Sequence, residues 1–442
     1  MLTGFEQSID HMQVKLGTAN FYSPVASIVE AYPTRIITTL QTSFVGEICN
    51  IHSPESDKLY QAQTVAIEDG KAILAPLQDI SGLSSNAEVV PTGLPFKILV
   101  GDTLLGRVLD GLGEPLDELP LDRDALMERD VAPQSISPMD RPIIDQTMQT
   151  GIRSLDAFTT LGQGQRVSVL GDPGSGKTTI LSMLARNAEA DVCILVLIGE
   201  RGREIRELLD RQLPPEFRKK CVVVASTSEK PAMERLMASH LGLAIAEYFR
   251  DQGKHVLLMF DSVTRFARAQ REVSLAAGEP VVRRGYTSSV YSELPRLVER
   301  CGRTNKGAIS AIFTVLTESE GIGDPIAEEL TSLTDGHIIL SPELGQAGHF
   351  PAVDVLRSRS RLMAELVDEE HQNNANKIRD LMGKYNEVEL LIQVGEYRKG
   401  SDLKADEAIA KHEAIKTFLQ QTPNENSQLV DTATGLKELA GK

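Results

Sequence analysis

The sequence predicts an α/β protein with a parallel sheet at its centre, a small β-barrel before that sheet and a helical region after it. From about residue 95 to 361, apolar strand candidates alternate with helical stretches such as Ala232–Asp251, as expected for a parallel sheet buried on both faces. From about 35 to 92, short β-rich runs such as 44–48 and 71–76 lie between turn residues, which is typical of a small barrel. Beyond Leu362 the pattern is helical and charged, with a polar break at 424–428. The central strand candidates are 166–170, 193–198, 221–225, 255–260, 308–316 and 337–340.

These changes of pattern divide the chain into four predicted parts. They are an N-terminal segment (1–20), a β-barrel domain (21–92), an α/β domain (93–362) and a helical C-terminal domain (363–442). In the first part, helical spacing of apolar residues predicts a modest amphipathic helix over 1–18 that could contact a partner or a membrane. A frayed terminus explains the same residues equally well. The apolar residues concerned are Phe5, Ile9, Met12 and Leu16.

Composition and charge restrict the class of protein. The 442 residues suffice for two or three domains, and the net charge of −16 opposes binding to nucleic acid unless basic residues cluster. No apolar run is long enough to cross a bilayer, and the N-terminus lacks the features of a signal peptide, so we expect a cytoplasmic protein. The four cysteines have no metal-ligand spacing, and Cys193 and Cys221 open apolar runs, which predicts buried thiols in a reducing compartment.

A phosphate-binding loop follows the first central strand candidate. Residues 171–178 read Gly-Asp-Pro-Gly-Ser-Gly-Lys-Thr, a complete G-x-x-x-x-G-K-T motif between an apolar strand and a run of helix formers. In this setting backbone N–H groups turn towards phosphates, the Lys177 ammonium reaches the outer phosphates, and the Thr178 hydroxyl binds Mg²⁺. The predicted nucleotide-binding residues are Gly171, Asp172, Pro173, Gly174, Ser175, Gly176, Lys177, Thr178 and Thr179.

Two carboxylates follow the ends of later strand candidates. Asp261 comes directly after the run 255–260, and Glu200 follows the run 193–198. Because the carboxyl ends of parallel strands meet at one edge of the sheet, both carboxylates should face the bound phosphates. Asp261 is then suited to hold Mg²⁺ through water, and Glu200 to polarise a water for attack on the γ-phosphorus. A solvated charge at a helix start is the alternative for Glu200, since the following segment continues as a polar helix face.

Positive charge and an aromatic ring complete the predicted site. Arg201, Arg265 and the arginines of the cluster 357–361 can stabilise negative charge on the transferred phosphate, although surface ion pairing is the common role of a lone arginine. Phe350 offers a ring that can stack on adenine, or that packs within the fold instead.

Several segments together resemble one superfamily. Residues 351–360, Pro-Ala-Val-Asp-Val-Leu-Arg-Ser-Arg-Ser, resemble the signature of the rotary ATPase α/β superfamily. Segment 199–204 resembles the part of the catalytic subunits that carries the general base, and 261–265 resembles the metal-carboxylate segment. Within the superfamily the chain is most similar to the ATPases of type III secretion and flagellar export. The tract 285–291 differs from the proline-rich export pattern and favours a virulence-type or symbiotic system over a flagellar one. The segments that carry this closer similarity are 267–272, 278–280, 294–300 and 395–402.

The resemblance implies a RecA-like α/β core between the barrel and the helical domain, and a homohexameric ring with ATP sites between neighbours. It also implies that Lys177 and Thr178 bind the phosphates and Mg²⁺ and that Glu200 positions the lytic water. The other implied roles are support of the phosphates by Arg201 and Arg265, assistance to the metal by Asp261, stacking of Phe350 on adenine and entry of Arg361 into the neighbouring subunit's site.

The function implied is ATP hydrolysis that energises type III protein secretion, releasing chaperones from export substrates and unfolding them. Implied partners are stator and central-stalk proteins and chaperone–substrate complexes at the inner-membrane base of the apparatus. Peripheral membrane association is left open, and no nucleic acid is implied.

Two alternatives remain at this point. One is the catalytic subunit of a rotary F/V-type ATP synthase, although the short acidic run 367–370 is unlike the acidic lever of such subunits. The other is a ring-shaped nucleic-acid translocase, which the scarcity of aromatic and basic residues in 35–92 opposes.

Overall fold

The structure is a computed structural model that describes residues 25–55, 58–131, 136–213, 215–317 and 323–441. The helix predicted over 1–18, and the segment 1–20 that contains it, lie outside the described residues. The chain divides into two compact units, one ending at Phe96 and the other beginning at Lys97. The domain limits predicted at 20, 92 and 362 stay predictions.

The first unit contains a closed β-barrel, as the sequence predicted. Its strands in the described part pair in the order β1-β2-β5-β4-β3-β6, and β1 closes the barrel on β6. Alternate residues point inwards, so that Ile36, Leu74 and Val89 are fully buried. The strands are β1 (Ala26–Tyr32), β2 (Arg35–Thr38), β3 (Glu47–His52), β4 (Leu59–Glu68), β5 (Lys71–Pro76) and β6 (Glu88–Pro95).

One predicted barrel strand begins later than expected. The run 71–76 is confirmed as β5, whereas the run 44–48 was wrong at its start, because β3 begins at Glu47. The Glu47 carboxylate accepts hydrogen bonds from the Ser43 hydroxyl (2.7 Å) and from the Phe44 N–H (3.2 Å). These bonds hold the preceding residues in a turn instead of a ladder.

The second unit is built on a sheet that counts nine strands within the described residues. The main path runs in the order β21-β20-β12-β19-β15-β13-β14-β8, and β18 also pairs with β19. These pairs are parallel except those of β21 and β18, and all six central strand predictions are confirmed. The strands of this unit are β7 (Lys97–Val100), β8 (Val108–Leu109), β9 (Met127–Asp130), β10 (Thr147–Met148), β11 (Leu161–Gly162), β12 (Arg166–Gly171), β13 (Val192–Glu200), β14 (Cys221–Thr227), β15 (His255–Asp261), β16 (Val281–Arg283), β17 (Tyr286–Thr287), β18 (Gly302–Arg303), β19 (Ala308–Leu316), β20 (Gly336–Ile339) and β21 (Arg359–Ser360).

Helices connect the parallel strands and cover the sheet. The helix Ala232–Asp251, predicted from the sequence, packs on β13, β14 and β15. The α-helices are Arg153–Phe158, Lys177–Asn187, Gly202–Glu207, Pro215–Arg218, Ala232–Asp251, Val263–Ala276, Ser288–Glu299, Pro325–Leu333, Pro342–Gln346, Met363–Leu366, Glu369–Gln393, Leu403–Leu419 and Leu429–Gly441. Shorter helical turns are the 3₁₀ segments Asp102–Leu104, Arg123–Ala125 and Pro138–Asp140 and the π-helical segment Leu208–Gln212.

The core lies between these helices and the central strands. The strands are near-continuous apolar runs and are buried along almost their whole length, as in β13, where only Glu200 is not fully buried. Cys193 and Cys221 are register partners in β13 and β14, and both thiols are buried as predicted.

The end of the chain is helical, as the sequence predicted. The helices Glu369–Gln393 and Leu403–Leu419 pack against each other, and the predicted polar break 424–428 precedes the last helix. Arg153 ties this region to the α/β part, because its guanidinium donates hydrogen bonds to the carbonyls of Phe418 (2.7 Å) and Gln420 (2.5 Å). Among the described residues, no helix combines the length and the apolar character that crossing a membrane requires.

Candidate nucleotide hydrolysis site

The loop predicted to hold phosphates lies between β12 and the helix Lys177–Asn187. Within it, the Ser175 N–H donates a hydrogen bond to the Asp172 carbonyl (3.1 Å), which closes a turn. Gly176 has a left-handed conformation at the start of the helix, and Thr178 is exposed on the first helical turn. The first N–H groups of a helix have no partner within the helix, so this end of the helix can bind an anion.

Lys177 is buried at the centre of this loop. Its ammonium donates hydrogen bonds to the carbonyls of Gly171 and Asp172, and the residue is 7% exposed. Burial lowers the pKa of Lys177 to about 8, and the nearby carboxylates of Asp261, Asp172 and Glu200 oppose that shift. A bound phosphate would act in the same direction as these carboxylates and stabilise the charged form.

Strand order brings Asp261 and Glu200 to the same edge of the sheet as the loop. The strand that precedes the loop is β12, and β19, β15 and β13 follow it across the sheet, all parallel to it. Neighbouring strands lie about 4.8 Å apart, so Asp261 on β15 is two strands from the loop strand and Glu200 on β13 is three. Both carboxylates act on the charge of Lys177, which shows that they lie near the loop.

Asp261 ends β15 and is half-buried. The Thr314 hydroxyl on β19 donates a hydrogen bond to its Oδ1 (2.5 Å). Burial raises the pKa of Asp261, and this hydrogen bond and the Lys177 charge oppose the rise. A carboxylate held in this way can accept hydrogen bonds from metal-bound water.

Glu200 reaches the site through an irregularity in β13. The pairing with β14 shifts register between Ile198 and Glu200, and Gly199 has φ of 65°. A Cβ on Gly199 would lie 2.8 Å from Arg265 Cδ, so only glycine permits this approach of Arg265. The Arg265 Nε then lies 3.4 Å from Glu200 Oε1. Burial and the Asp261 charge raise the pKa of Glu200 to about 7, against the opposing effect of Arg265.

Buried polar atoms that make no hydrogen bond are concentrated at this site. Among the described residues, six buried side-chain N or O atoms lack a hydrogen-bond partner, and three of them are Ser175 Oγ, Ser262 Oγ and Arg265 Nε. Buried polar atoms in folded proteins are nearly always satisfied, so this concentration indicates a place where a polar ligand or water binds.

Phe350 is brought to the loop, whereas the Arg201 side chain is mostly exposed to solvent. A Cβ built on Gly176 would lie 3.6 Å from Phe350 Cε1, so the ring stands beside the loop, and Phe350 is 36% exposed. The Arg201 side chain is 79% exposed, and its Nη1 lies 3.4 Å from Glu204 Oε1 on the same helix start. The roles predicted for both residues stay predictions.

Arg361 lies at the amino ends of the parallel strands, the edge of the sheet opposite to the loop. Its N–H donates a hydrogen bond to the Asp335 carbonyl (2.9 Å), and the Asp335 N–H donates to the Arg166 carbonyl (2.8 Å), at the start of β12. The loop follows the other end of β12, about 16 Å away at roughly 3.3 Å per residue. The exposed Arg361 side chain lines a cleft of about 560 Å³, with further arginines at 357, 359 and 379. Arg361 is therefore not part of the site formed around its own chain's loop.

Sequence reasoning missed two threonines near the carboxyl end of β19. Thr314 contacts Asp261, and the Thr317 hydroxyl donates a hydrogen bond to Asp172 Oδ1 (2.7 Å) within the loop. Both lie at or just beyond the carboxyl end of a strand that the sequence predicted. The signal was therefore available, because polar residues at that edge face the ligand in such sheets.

The residues at the loop fit Mg²⁺ bound together with a nucleotide. The described part of the chain has no group of three or more His, Cys, Asp or Glu residues that could hold a metal by themselves. Mg²⁺ keeps several waters and usually binds through one or two protein oxygens plus phosphates. The exposed Thr178 hydroxyl and the Asp261 carboxylate supply ligands of that kind.

The fold and the site define a P-loop nucleotide hydrolase, and comparison with known proteins narrows that class. Residues 151–360 match the nucleotide-binding domain of the ATP synthase alpha/beta family, and residues 36–93 match the β-barrel domain of the same family. Residues 367–438 match the type III secretion EscN ATPase C-terminal domain.

Whole-chain relatives agree with these matches. The type 3 secretion system ATPase of Xanthomonas euvesicatoria is 46% identical over 92% of this chain and 91% of its own length. The assembled ATPase EscN from the type III secretion system of enteropathogenic E. coli is 42% identical, covers 94% of this chain and 100% of its own, and superposes with a TM-score of 0.89. EscN in complex with its central stalk EscO gives the same identity and coverage and a TM-score of 0.86.

The chain therefore belongs to the family of type 3 secretion system ATPases, and its nucleotide is ATP. The C-terminal match to secretion ATPases separates it from the catalytic subunits of rotary ATP synthases, with which it shares the barrel and the nucleotide-binding domain.

Proposed function

We propose that this chain hydrolyses Mg²⁺-bound ATP at the interfaces of a homohexameric ring and that the ring drives type III protein secretion. The observation that carries the chemistry is the convergence of the buried Lys177 ammonium, the Asp261 and Glu200 carboxylates and three buried polar atoms without a hydrogen bond in front of one helix N-terminus. Backbone N–H groups of residues 171–179 and Lys177 hold the phosphates, and Phe350 stacks on adenine.

Glu200 acts as the general base. A water attacks the γ-phosphorus, the bond to the β–γ bridging oxygen breaks, and Glu200 takes the proton that the water loses. The pKa of Glu200, raised to about 7 by burial, matches that of a base working near neutral pH. Arg265, which pairs with Glu200, supports the phosphate charge, and the exposed Arg201 is a second candidate for that role.

Thr178 and Asp261 would hold Mg²⁺. The ion would neutralise charge that develops on the β- and γ-phosphate oxygens. Asp261 contributes a carboxylate already held by the Thr314 hydroxyl, which fixes the direction of its oxygens before any ligand binds.

Each site needs a neighbouring copy to be complete. Arg361 is exposed at the edge of the sheet opposite its own loop, so it is available to a neighbouring subunit and not to its own site. Head-to-tail interfaces of this kind close into rings, and we propose six copies. An arginine delivered to the γ-phosphate is worth on the order of 10³–10⁵ in rate.

Export is the proposed use of this turnover. The relatives are named type 3 secretion system ATPases, and EscN has been solved with a central stalk. By analogy, this ring would bind stalk and stator proteins at the cytoplasmic, inner-membrane base of a virulence-type apparatus. It would release chaperones from export substrates and unfold them.

Complementation between inactive chains tests the shared site. Arg361→Ala chains keep an intact loop, and Lys177→Ala chains keep Arg361, so neither forms complete sites alone. In a mixture of equal amounts, about a quarter of the head-to-tail interfaces should combine both intact halves and recover turnover. No recovery at any ratio, in mixtures that native mass spectrometry shows to be mixed rings, would rule the shared site out.

A secretion assay tests the use of the energy. Glu200→Gln in place of the native chain should leave rings that still bind ATP and the stalk protein but should stop export of the system's substrates. Export at the native rate with a turnover-deficient chain would show that hydrolysis by this protein does not energise secretion.

A further inference from the structure

Arg361 follows β21, and its main chain is held through one carbonyl group. The Asp335 carbonyl accepts hydrogen bonds from the Arg361 N–H (2.9 Å) and from the Gln165 side-chain amide (3.2 Å). The same amide nitrogen also lies 3.0 Å from the Ser360 hydroxyl. The point at which the chain leaves the sheet towards Arg361 is thus fixed by the position of Asp335.

The Asp335 side chain is in turn clamped by Arg166. The guanidinium bonds both carboxylate oxygens at 3.1 Å, and the Arg166 N–H donates to Oδ2 at 3.0 Å. The Asp335 N–H completes the connection by donating to the Arg166 carbonyl at 2.8 Å. Bidentate pairs of this type fix direction as well as distance, and the Arg166 side chain is only 16% exposed.

The Arg361 side chain has much weaker restraints than its main chain. In the described residues its guanidinium makes one hydrogen bond, from Nη2 to the Thr331 carbonyl (3.2 Å), and it is otherwise exposed. The reach of this flexible side chain therefore depends on where its main chain is anchored.

We propose that Asp335, held by Arg166, is a positioning residue that sets the reach of Arg361 into the neighbouring subunit's site. This role rests on the shared site proposed above. Arg166 opens β12, and the phosphate-binding loop closes it. One end of β12 therefore leads into the loop that holds the phosphates of its own site. The other end positions Arg361, which serves the neighbouring site.

A second ion pair of Arg166, with Glu299, provides a matched control. Its Nη1 lies 2.7 Å from Glu299 Oε1, and the side-chain partners of Glu299 in the described residues are Arg166 and Arg141. Glu299→Gln therefore removes a carboxylate from the same arginine without touching Asp335 or the segment that carries Arg361.

The experiment isolates the effect that the position of Arg361 has on turnover. The acceptor chain is Arg361→Ala, which has an intact loop but supplies no arginine. Each donor chain carries Lys177→Ala, so its own site is inactive, and differs in a second substitution: none, Asp335→Asn, Glu299→Gln or Arg361→Ala. Turnover of equal mixtures then arises only where an acceptor loop meets a donor's Arg361, and native mass spectrometry gives the number of mixed rings.

We expect the plain and the Glu299→Gln donors to restore similar turnover, and the Arg361→Ala donor to restore none. The Asp335→Asn donor should restore about a tenth or less, through kcat with little change in the KM for ATP, because a misplacement of about 1 Å can cost on the order of 10²-fold in rate. Arg166→Lys, which keeps the charge but not the two-point contact, should act in the same direction and serves if Asp335→Asn does not fold.

Three results would overturn the assignment, and one would instead overturn the shared site. Equal recovery with and without Asp335→Asn, or the same loss with Glu299→Gln, would show that the clamp does not aim Arg361. The single variant Asp335→Asn should bind ATP in its own loop as tightly as the unsubstituted chain, and parallel loss of that affinity would make Asp335 a general structural residue. No recovery with the plain donor would contradict the shared site itself.

Discussion

Glu200 combines a cost in stability with the role in turnover that we propose for it. Because burial raises its pKa from 4.5 to about 7, the native state binds a proton more tightly than the unfolded chain between these values. The free energy of unfolding therefore falls as the pH rises from about 4.5 to 7, and the cost persists above pH 7. Arg265 at 3.4 Å offsets only part of it.

We expect Glu200→Gln to be more stable and almost inactive. At pH 8 the free energy of unfolding should rise by roughly 1–2 kcal/mol, because a neutral amide replaces a buried charge. Turnover should fall about 10²–10⁴-fold, because the general base is lost, while ATP affinity changes little. Thermal unfolding, nucleotide titration and phosphate release measure the three quantities. The control is Glu216→Gln at an exposed position of the helix Pro215–Arg218, and a Glu200→Gln protein less stable than this control would contradict the prediction.

Glu200 and Lys177 together predict a bell-shaped pH dependence of kcat/KM. Glu200 must be ionised to accept a proton, so kcat/KM should fall below about pH 7, by up to tenfold per pH unit. Lys177 must be protonated to bind phosphates, so kcat/KM should fall again above about pH 8. Burial raises the pKa of Glu200 to about 7 and lowers the pKa of Lys177 to about 8. The two values are close together, so the pH optimum is narrow. Initial rates from about pH 5.5 to 9.5 at subsaturating ATP check this, and a flat profile across that range would exclude the assigned roles.

At the scale of elements, the central strands were predictable but their order was not. Each strand is a near-continuous apolar run, which is a local signal, and Glu200 and Asp261 are the last residues of two of them. Which strands become neighbours depends on packing between distant segments. The sequence therefore gave no sign that β19 separates the loop strand from β15, or that Thr314 would hold Asp261.

Helix packing on this sheet explains a glycine in the middle of a helix. Gly242 lies within Ala232–Asp251, and a Cβ there would lie 2.2 Å from Val196 Cγ2 on β13. Alanine would favour the helix by about 1 kcal/mol, but forcing the helix off the strand should cost roughly 1–3 kcal/mol. The second effect should win, because the atom that must move belongs to a buried, β-branched side chain.

We therefore expect Gly242→Ala to lower the free energy of unfolding by about 1–2 kcal/mol. Adding Val196→Ala should remove most of the clash, so the double variant should be less destabilised than the sum of the two single variants. Gly383→Ala is the control, because a Cβ on Gly383 meets nothing within 4 Å in the helix Glu369–Gln393, and it should stabilise the chain. Denaturant titration of the unsubstituted chain and the four variants measures these effects, and strict additivity would show that Val196 does not cause the clash.

At the scale of the whole molecule, the proposed active site is divided between the two edges of one sheet. The loop, Glu200 and Asp261 lie at the carboxyl edge, whereas Arg361 lies at the amino edge beside Arg166. The sequence could indicate both halves through its motifs. It could not show their separation, because that depends on the antiparallel return of β21 beside β20.

This division predicts that turnover depends on protein concentration. If half of each site comes from a neighbour, dilution should lower turnover per chain as rings dissociate, and ATP should oppose dissociation because it binds across the interface. A single-chain site would instead give constant turnover per chain. Steady-state phosphate release over a dilution series, with mass photometry of the same samples, measures both quantities. We expect the loss of turnover and the loss of rings to coincide, and the small residual rate of Arg361→Ala chains to stay constant on dilution. Full turnover in samples that contain only monomers would show that Arg361 of a neighbour is not required.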